Sequence, residues 1–471
     1  MLSSAQTEEP FGSTLFARLL TEAGISDTRF ARQINLRARH QRRVELGLAR
    51  STVGHWRRGM RPRDPMVAEL AAAEISAAVG YSVTPADFGW RGEGTTHDLG
   101  LVVADSPAQT LSSLTGVAAR DLRRGDSSPY GTGFVASAFA EPALASLAGI
   151  IPRIEAAAPS VQPRPGRAGY SSGPVTSAAV VRDVVASFRK LDARFGGGEI
   201  RSQVVAFAHE RLRAAAGGPA NAELFSALGE LAQFSGWLAQ ECGHPALGQR
   251  YYIQALSLAE HAGDAMMAGR VLSTMSDQAA LLGHRRQSLA LASAALDRAG
   301  RAAAPLVAAM LHDKHAWALA RVGDEAGCTE ALFAMEQAAS RAVPGDGPAW
   351  AGHYNAGDVA ECQGRCFRLL GRPLQAEQRL VEGRTLQKAS RVRTRCYAEA
   401  DLALSYLQRQ APDLEGALEA ANAAVGLASG LSSTRIAGKL RELDQAFAGH
   451  RTIAAQRWRR TTAPLLSSPR K

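Results

Sequence analysis

Ala49-Arg50-Ser51-Thr52-Val53-Gly54-His55-Trp56-Arg57-Arg58-Gly59-Met60-Arg61-Pro62-Arg63 decides how the chain is read. Val53 and Trp56 stand three apart and share one face of a helix. Arg50, Ser51, Thr52 and His55 fall off that stripe and point outward. Gly59 and Pro62 end the helix, as a C′ glycine and a following proline do. The stretch is expected to be a short helix with an apolar anchor and a cationic, hydrogen-bonding outer face. Such a helix sits on a scaffold by one side and offers donors to base edges and phosphates by the other.

Its surroundings are basic. From Arg29 to Arg63 there are eleven arginines and one acid, Glu45. A block so charged attracts a polyanion, or it is a solvated face of a chain that uses arginine by default, since only five lysines occur. At 471 residues the chain exceeds one ordinary core, so two or three domains are expected. Alanine is abundant and aromatic residues make up 6%, which favours helices over sheets. The expected fold is all-α, with an N-terminal helix-turn-helix domain followed by a tetratricopeptide-like (TPR-like) α-solenoid.

Before the central stretch, Leu15, Phe16, Leu19 and Leu20 form an apolar stripe that Ala23-Gly24 closes. Ser26 offers an N-cap to a second helix carrying Phe30, Ala31 and Ile34. The run Leu19 to Ala31 resembles the opening of phage-repressor-type (Cro-like) helix-turn-helix domains, and Ser51 to Gly59 resembles their recognition helix. Compact members place about six residues where this chain has twenty between Ala31 and Ser51. The insertion, roughly Asn35 to Leu48, either lengthens the second helix or makes a loop. This longer form resembles the actinobacterial NsdA-like regulators through Phe30, Ala31, Ile34, Asn35, Ser51, Val53, Trp56, Gly59 and Pro62. Val67 to Leu70 and Val83 to Gly89 also look familial.

The resemblance implies roles. Arg50, Ser51, Thr52 and His55 become base-facing, although Ser51 is also a candidate cap because Ala49 is a poor one. An arginine on guanine is worth ~1–3 kcal/mol of discrimination. Arg57, Arg58, Arg61 and Arg63 fall where phosphates are met. Arg37, Arg39, Arg42 and Arg43 follow the DNA backbone or enter a minor groove, or else form a solvated loop. Trp56 is expected in the core.

Residues 91–178 are read as a linker with a short helix near Pro107 to Arg123. Gly92 to Thr96 breaks the pattern, and Pro159 to Pro174 has linker composition. The apolar window Gly133 to Ile151 contains Glu141 and Pro142 and is read as a buried or interdomain segment rather than a membrane span. From 179 to 450 the chain repeats. Gly243, Gly283, Gly323 and Gly371 close similar phrases 40, 40 and 48 residues apart, and a looser copy surrounds Tyr406 and Ala417. This resembles tetratricopeptide repeats, with Gly236, Gly243, Gly248, Tyr252 and Ala255 in the small, turn and bulky positions. Gly248 to Leu256 and Phe188 to Gly198 also resemble the actinobacterial group.

Stacked pairs leave a concave face made by the first helix of each. Gln233, Trp237, Asp277, Asp313, Trp317, Glu361 and Arg365 are expected there. Trp237 and Trp317 either hold a peptide or small apolar ligand or pack between repeats. The last stretch, 451–471, has six positive and no negative residues and is read as a basic tail, frayed or adding weak DNA affinity.

Five cysteines without a CxxC pair fit reduced thiols in a cytosolic protein, and Cys362, Cys366 and His353 are too few for a metal site. Met1 to Pro10 has no apolar core and is not expected to be a signal peptide. No phosphate loop, HExxH or GxSxG is present, so an enzyme is not expected. The expected function is a cytoplasmic, nucleoid-associated regulator that binds double-stranded DNA. It acts as a homodimer, without cofactor or membrane. The repeats dimerise and sense a peptide, small molecule or protein. The alternative is a TPR-like interaction scaffold whose head binds nucleic acid without specificity or is vestigial. RNA binding by the arginine insertion is a third reading.

Overall fold

The computed structural model describes residues 14–79, 83, 85–88, 90, 99–124, 134–154, 177–300 and 303–467. Gly92 to Thr96, the Pro159 to Pro174 stretch, Gly133 and the last four residues lie outside them. Within the described residues every regular element is helical and no strand occurs. Two compact units emerge, one running to Leu99 with Leu111–Gly116, the other holding Gly100–Thr110 and everything from Val117.

The first unit contains α1 (Leu15–Glu22), α2 (Asp27–Arg42), α3 (Arg50–Arg57), α4 (Pro65–Val79) and a 3₁₀ turn at Pro85–Phe88. Thr14 caps α1 by accepting from the Ala17 amide, and Ser26 caps α2 by accepting from Arg29. Of the apolar stripe expected on α1, Phe16, Leu19 and Leu20 are buried and Leu15 is half-buried, while Phe30, Ala31 and Ile34 on α2 are all buried. Their common centre is Phe16, whose ring lies 5.6 Å from Phe30, 6.0 Å from Trp56, 5.3 Å from Phe88 and 4.9 Å from Trp90. Three of the four contacts are edge-on, the arrangement the ring quadrupoles favour. A further helix, α5 (Pro107–Arg124), supplies residues to both units.

The second unit continues with α6 (Ala140–Ala148), α7 (Ala178–Phe195) and α8 (Arg201–Ala216). Helical pairs follow: α9 (Ala222–Glu241) with α10 (Pro245–His261), and α11 (Ala265–Leu281) with α12 (Arg285–Ala299). Next come α13 (Pro305–Val322) with α14 (Glu325–Ser340), α15 (Ala356–Leu369) with α16 (Pro373–Leu386), and α17 (Val392–Gln408) with α18 (Leu414–Ala428). The unit ends on α19 (Thr434–Ala448) and α20 (Ile453–Ser467). The four periodic glycines all occupy the turn inside a pair, with φ between +74° and +90°. Close approach explains the small residues. A Cβ on Gly236 would lie 2.6 Å from a Tyr252 ring carbon, and one on Gly364 would lie 2.5 Å from Leu380. The 48-residue spacing comes from the 341–355 connector before α15, with its own 3₁₀ turn at Ala349–Ala351.

Of the stretch read as a linker with a short helix, residues 99–124, 134–154 and 177–178 are described, and they carry α5 and α6. Gln254 of α10 donates to the Gly100 and Val102 carbonyls, at 3.2 and 2.9 Å. Gln249 accepts from the Val135 amide at 3.1 Å and donates to its carbonyl at 2.7 Å. Ser146 of α6 donates to Glu260, which Arg298 also grips through two 2.6 Å bonds. Buried amides on α10 thus satisfy backbone groups of Gly100, Val102 and Val135. The segment read as a basic tail is helical over α20. Trp458 is buried, 4.8 Å from Phe447, and Arg459 pairs with Asp444 at 2.9 Å. Its charge is legible in the sequence, but the burial of Trp458 is not.

The first and last pairs of the array meet. Arg393 of α17 holds Asp192 of α7 in a two-pronged contact at 2.7 and 2.8 Å, and Arg435 of α19 pairs with Glu241 at 2.8 Å. Between them the Ser432 amide donates to Phe195 at 3.1 Å, and Gly198 donates to Ser432 at 3.2 Å. Gly196 sits at φ +85° with room for no Cβ, which would fall 2.6 Å from the Ser432 carbonyl oxygen. Gly196→Ala is therefore expected to cost at least about 2 kcal/mol. A lowered urea midpoint for the second unit measures it, and an unchanged midpoint would show that this junction contributes no stability.

Candidate functional site

In the first unit α3 is held at three points. Trp56 inserts into the aromatic centre and is 4% exposed. Asn35 clamps the loop ahead of α3, donating to the Leu48 carbonyl at 3.0 Å and accepting from its amide at 3.1 Å. Arg57 binds Asp27 of α2 at 2.6 Å while its carbonyl accepts from Thr14 at 3.0 Å. The insertion therefore does both things open to it. It extends α2 to Arg42, turns at Arg43 (φ 54°), and returns as a loop. Gly59, at φ +96°, ends α3 with paired bonds: its amide donates to Trp56 and that of Met60 to His55.

With Val53 and Trp56 inward, the opposite face of α3 presents Ser51, His55 and Arg58, flanked by Arg50, all exposed, while Thr52 is half-buried at the side. Ala49 occupies the N-cap position without a side-chain bond, so Ser51 is not used as the cap. Arg61, Arg63 and Arg43 are also exposed. The arginines expected on phosphates or the DNA backbone divide. Arg57 is committed to Asp27, Arg37 to Glu74 at 2.8 Å, and Arg39 to Glu45 on the surface, also at 2.8 Å. Nothing of the Arg42 side chain lies within the described residues. A cleft of about 410 Å³ beside Arg50 is lined by Arg32, Asn35, Arg39 and Glu45.

Gly54 is a residue that sequence reasoning passed over. It lies on the outward face of an eight-residue helix, and a Cβ there would meet nothing nearer than 3.7 Å. Glycine in a helix interior costs ~1 kcal/mol against alanine. No packing inside the unit repays it, and the signal was in plain view as a glycine in a short helix.

In the second unit the expected concave residues form a charged network. Asp313 binds Arg365 at 3.1 Å and accepts from the Tyr354 hydroxyl at 3.1 Å, and Lys314 reaches Asp277 at 3.2 Å. Both ring faces expected to hold a ligand meet guanidinium groups. Trp237 lies 5.2 and 4.6 Å from Arg393 and Arg435, and Trp317 lies 5.0 Å from both Arg321 and Arg365. Gln233 bridges Arg189, at 3.0 Å, and Thr274, at 3.2 Å. Glu361 stands beside Asp358 and Gln387. Burial, reinforced by the Asp358 charge, pushes the Glu361 carboxyl up to about 8. Burial also pushes Asp358 up to about 6, against the pull of Arg391.

The family model described as SP15 N-terminal domain matches residues 16–91. The match starts at Phe16 and spans α1 to α4 and the Pro85–Phe88 turn. No curated protein and no solved structure matches the chain.

Two measurements follow from this geometry. Arg57→Ala is expected to lower the stability of the first unit by about 1–2 kcal/mol, while Arg58→Ala stays within about 0.5 kcal/mol of the parent. Equal effects in thermal unfolding would refute the division between them. Glu361 keeps its proton longer when folded than when unfolded. Its contribution therefore falls as pH rises from the ordinary glutamate value of 4.5 toward about 8. Glu361→Gln is expected to flatten that decline and to raise Tm at pH 8.5. A steeper decline in the variant would contradict it.

Proposed function

We propose that the chain is a sequence-specific DNA-binding regulator. In this reading α2 and α3 form the helix-turn-helix pair and α3 lies in the major groove. One observation carries it: on a helix anchored by Val53 and Trp56, the outward face holds Arg50, Ser51, His55 and Arg58, and the helix has no acid. Arg50 suits a guanine edge. Arg58, Arg61, Arg63 and Arg43 suit phosphates. Gly54 lets the helix backbone approach the groove more closely than any side chain would allow. The resemblance to Cro-like and NsdA-like regulators supports this reading. Arg37, Arg39 and Arg57 act within the head, bracing the helix that reads.

The repeats serve in dimerisation and sensing. A homodimer would place two α3 helices on half-sites about one helical turn apart, or a multiple of that. The concave network of α9, α11, α13 and α15 is the sensing face.

Selection from a random duplex library with the full chain tests the reading, because the operator need not be known beforehand. A motif is expected to emerge, with affinity falling by about 0.9 log units per log unit of salt for each phosphate met. Gly54→Ala is expected to stabilise the head by up to about 1 kcal/mol and yet weaken the selected complex at least several-fold. Arg50→Ala with Arg58→Ala is expected to abolish selection while leaving the fold intact. Equal, weak binding to every duplex would instead support the interaction scaffold.

A further inference from the structure

Among the arginines lining the concave side, Arg270 of α11 stands apart. It is 8% exposed, and neither Nε nor Nη1 has a hydrogen-bond partner. Among the described residues no carboxylate pairs with it. Its neighbours are matched: Arg189 faces Glu230 at 3.5 Å, and Arg391 binds Asp358 at 2.6 Å. The guanidinium of Arg270 lies 4.5 Å from the Trp350 ring centre. Burial, with Arg189 adding repulsion, lowers it to about 9, so it stays charged at neutral pH.

The mouth of this place is marked by His353. Its ring is open to water, yet the protein crowded round it, with Arg270, Arg391 and Arg189, pushes it down to about 3. It is therefore a neutral imidazole beside a cation, with Nδ1 placed 2.8 Å from the Trp350 carbonyl. Trp350 and His353 both come from the 341–355 connector, the insertion that breaks the repeat period. The insertion thus brings an aromatic wall and a neutral polar group to a cation that makes no ion pair, Glu230 acting on it only from beyond contact distance.

We propose that Arg270, walled by Trp350 and bordered by His353, is a binding site for the carboxylate of a small organic anion. The unmatched charge is one, which suits a monoanion. A phosphate dianion would leave a negative charge over in a poorly hydrated place. Leaving a buried guanidinium unanswered costs stability, and such a cost is maintained where a ligand repays it. The proposal deepens the sensing half of the proposed function and rests on it, but its test needs no DNA. Loss of duplex selection and loss of anion binding are therefore separate results.

Thermal unfolding of the full chain, titrated with sodium acetate and with sodium phosphate at ionic strength balanced by chloride, decides it. Acetate is expected to raise Tm saturably by a few degrees, and phosphate to do so less. Arg270→Met is expected to lose the acetate response and to raise Tm without ligand, because an unanswered charge has been replaced by an apolar chain of similar length. Arg270→Lys keeps the charge and is expected to need several-fold more acetate. A response equal in parent and Met variant overturns the site, and so does no saturable response in the parent. A Tm fall in the Met variant without ligand, with the acetate response retained, assigns Arg270 to structure alone. Tighter binding of phosphate overturns the choice of carboxylate.

Discussion

A guanidinium cannot shed its charge on burial, because its proton is held too tightly. This chain carries 54 basic residues of which five are lysines, so nearly every cation it uses obeys that constraint. Each arginine taken from water must meet a carboxylate or a ring face, or stay in deficit. The second unit is arranged around such meetings. Asp192 with Arg393 and Glu241 with Arg435 join the first helices of the array to the last. Asp313 with Arg365 links α13 to α15, and Glu230 with Arg189 links α9 to α7. Pairs like these gain little against apolar packing of the same volume, but removing one partner leaves a costly charge behind. They fix which helix faces which more than they add stability.

The same constraint separates two kinds of arginine in the first unit. Arg57 and Arg37 find acids on α2 and α4 and become struts. Arg50 and Arg58 stay exposed at the two ends of a helix with no acid. The sequence shows the excess of arginine between Arg29 and Arg63 but not this sorting, because Asp27 is 30 residues from Arg57 and Glu74 is 37 from Arg37. The local helix-forming pattern was legible. The apolar stripe of α1, the Ser26 cap, the inward Val53 and Trp56, and the stop at Gly59 are each set by neighbours within a turn or two. The path of the insertion was not legible, since it rests on one amide, Asn35, closing on Leu48 thirteen residues away.

In the repeats, periodicity carried the reading. A glycine at positive φ in each turn is a local demand, so its recurrence is visible in the sequence. Deviations from the period were visible too, but their meaning was not. The eight extra residues before Gly371 bring Trp350 and His353 close to Arg270. Likewise, Gln249 and Gln254, buried in α10, meet backbone 114 and 154 residues earlier in the chain. Buried amides in a core helix are a sign that foreign backbone lies against it. Composition alone made that segment look like a spacer.

Helix α7 is where these threads meet. It carries Arg189, which faces Glu230 and repels Arg270, and one turn later Asp192, which receives Arg393 from the far end of the array. Any anion that draws on Arg270 changes the balance felt by Arg189, because the two guanidiniums repel each other in a poorly hydrated place. Relief of that repulsion acts on the same helix that the closing contact holds. Two equilibria that share one rigid element are linked, and the linkage is reciprocal: whatever favours the closed array also favours the anion, to the extent that the anion binds one arrangement of α7 better than another. The arrangement needs no mobile loop and no titrating group. It needs only a buried arginine without an ion pair, Arg270, beside a second arginine, Arg189, that stands one turn from the acid held by Arg393.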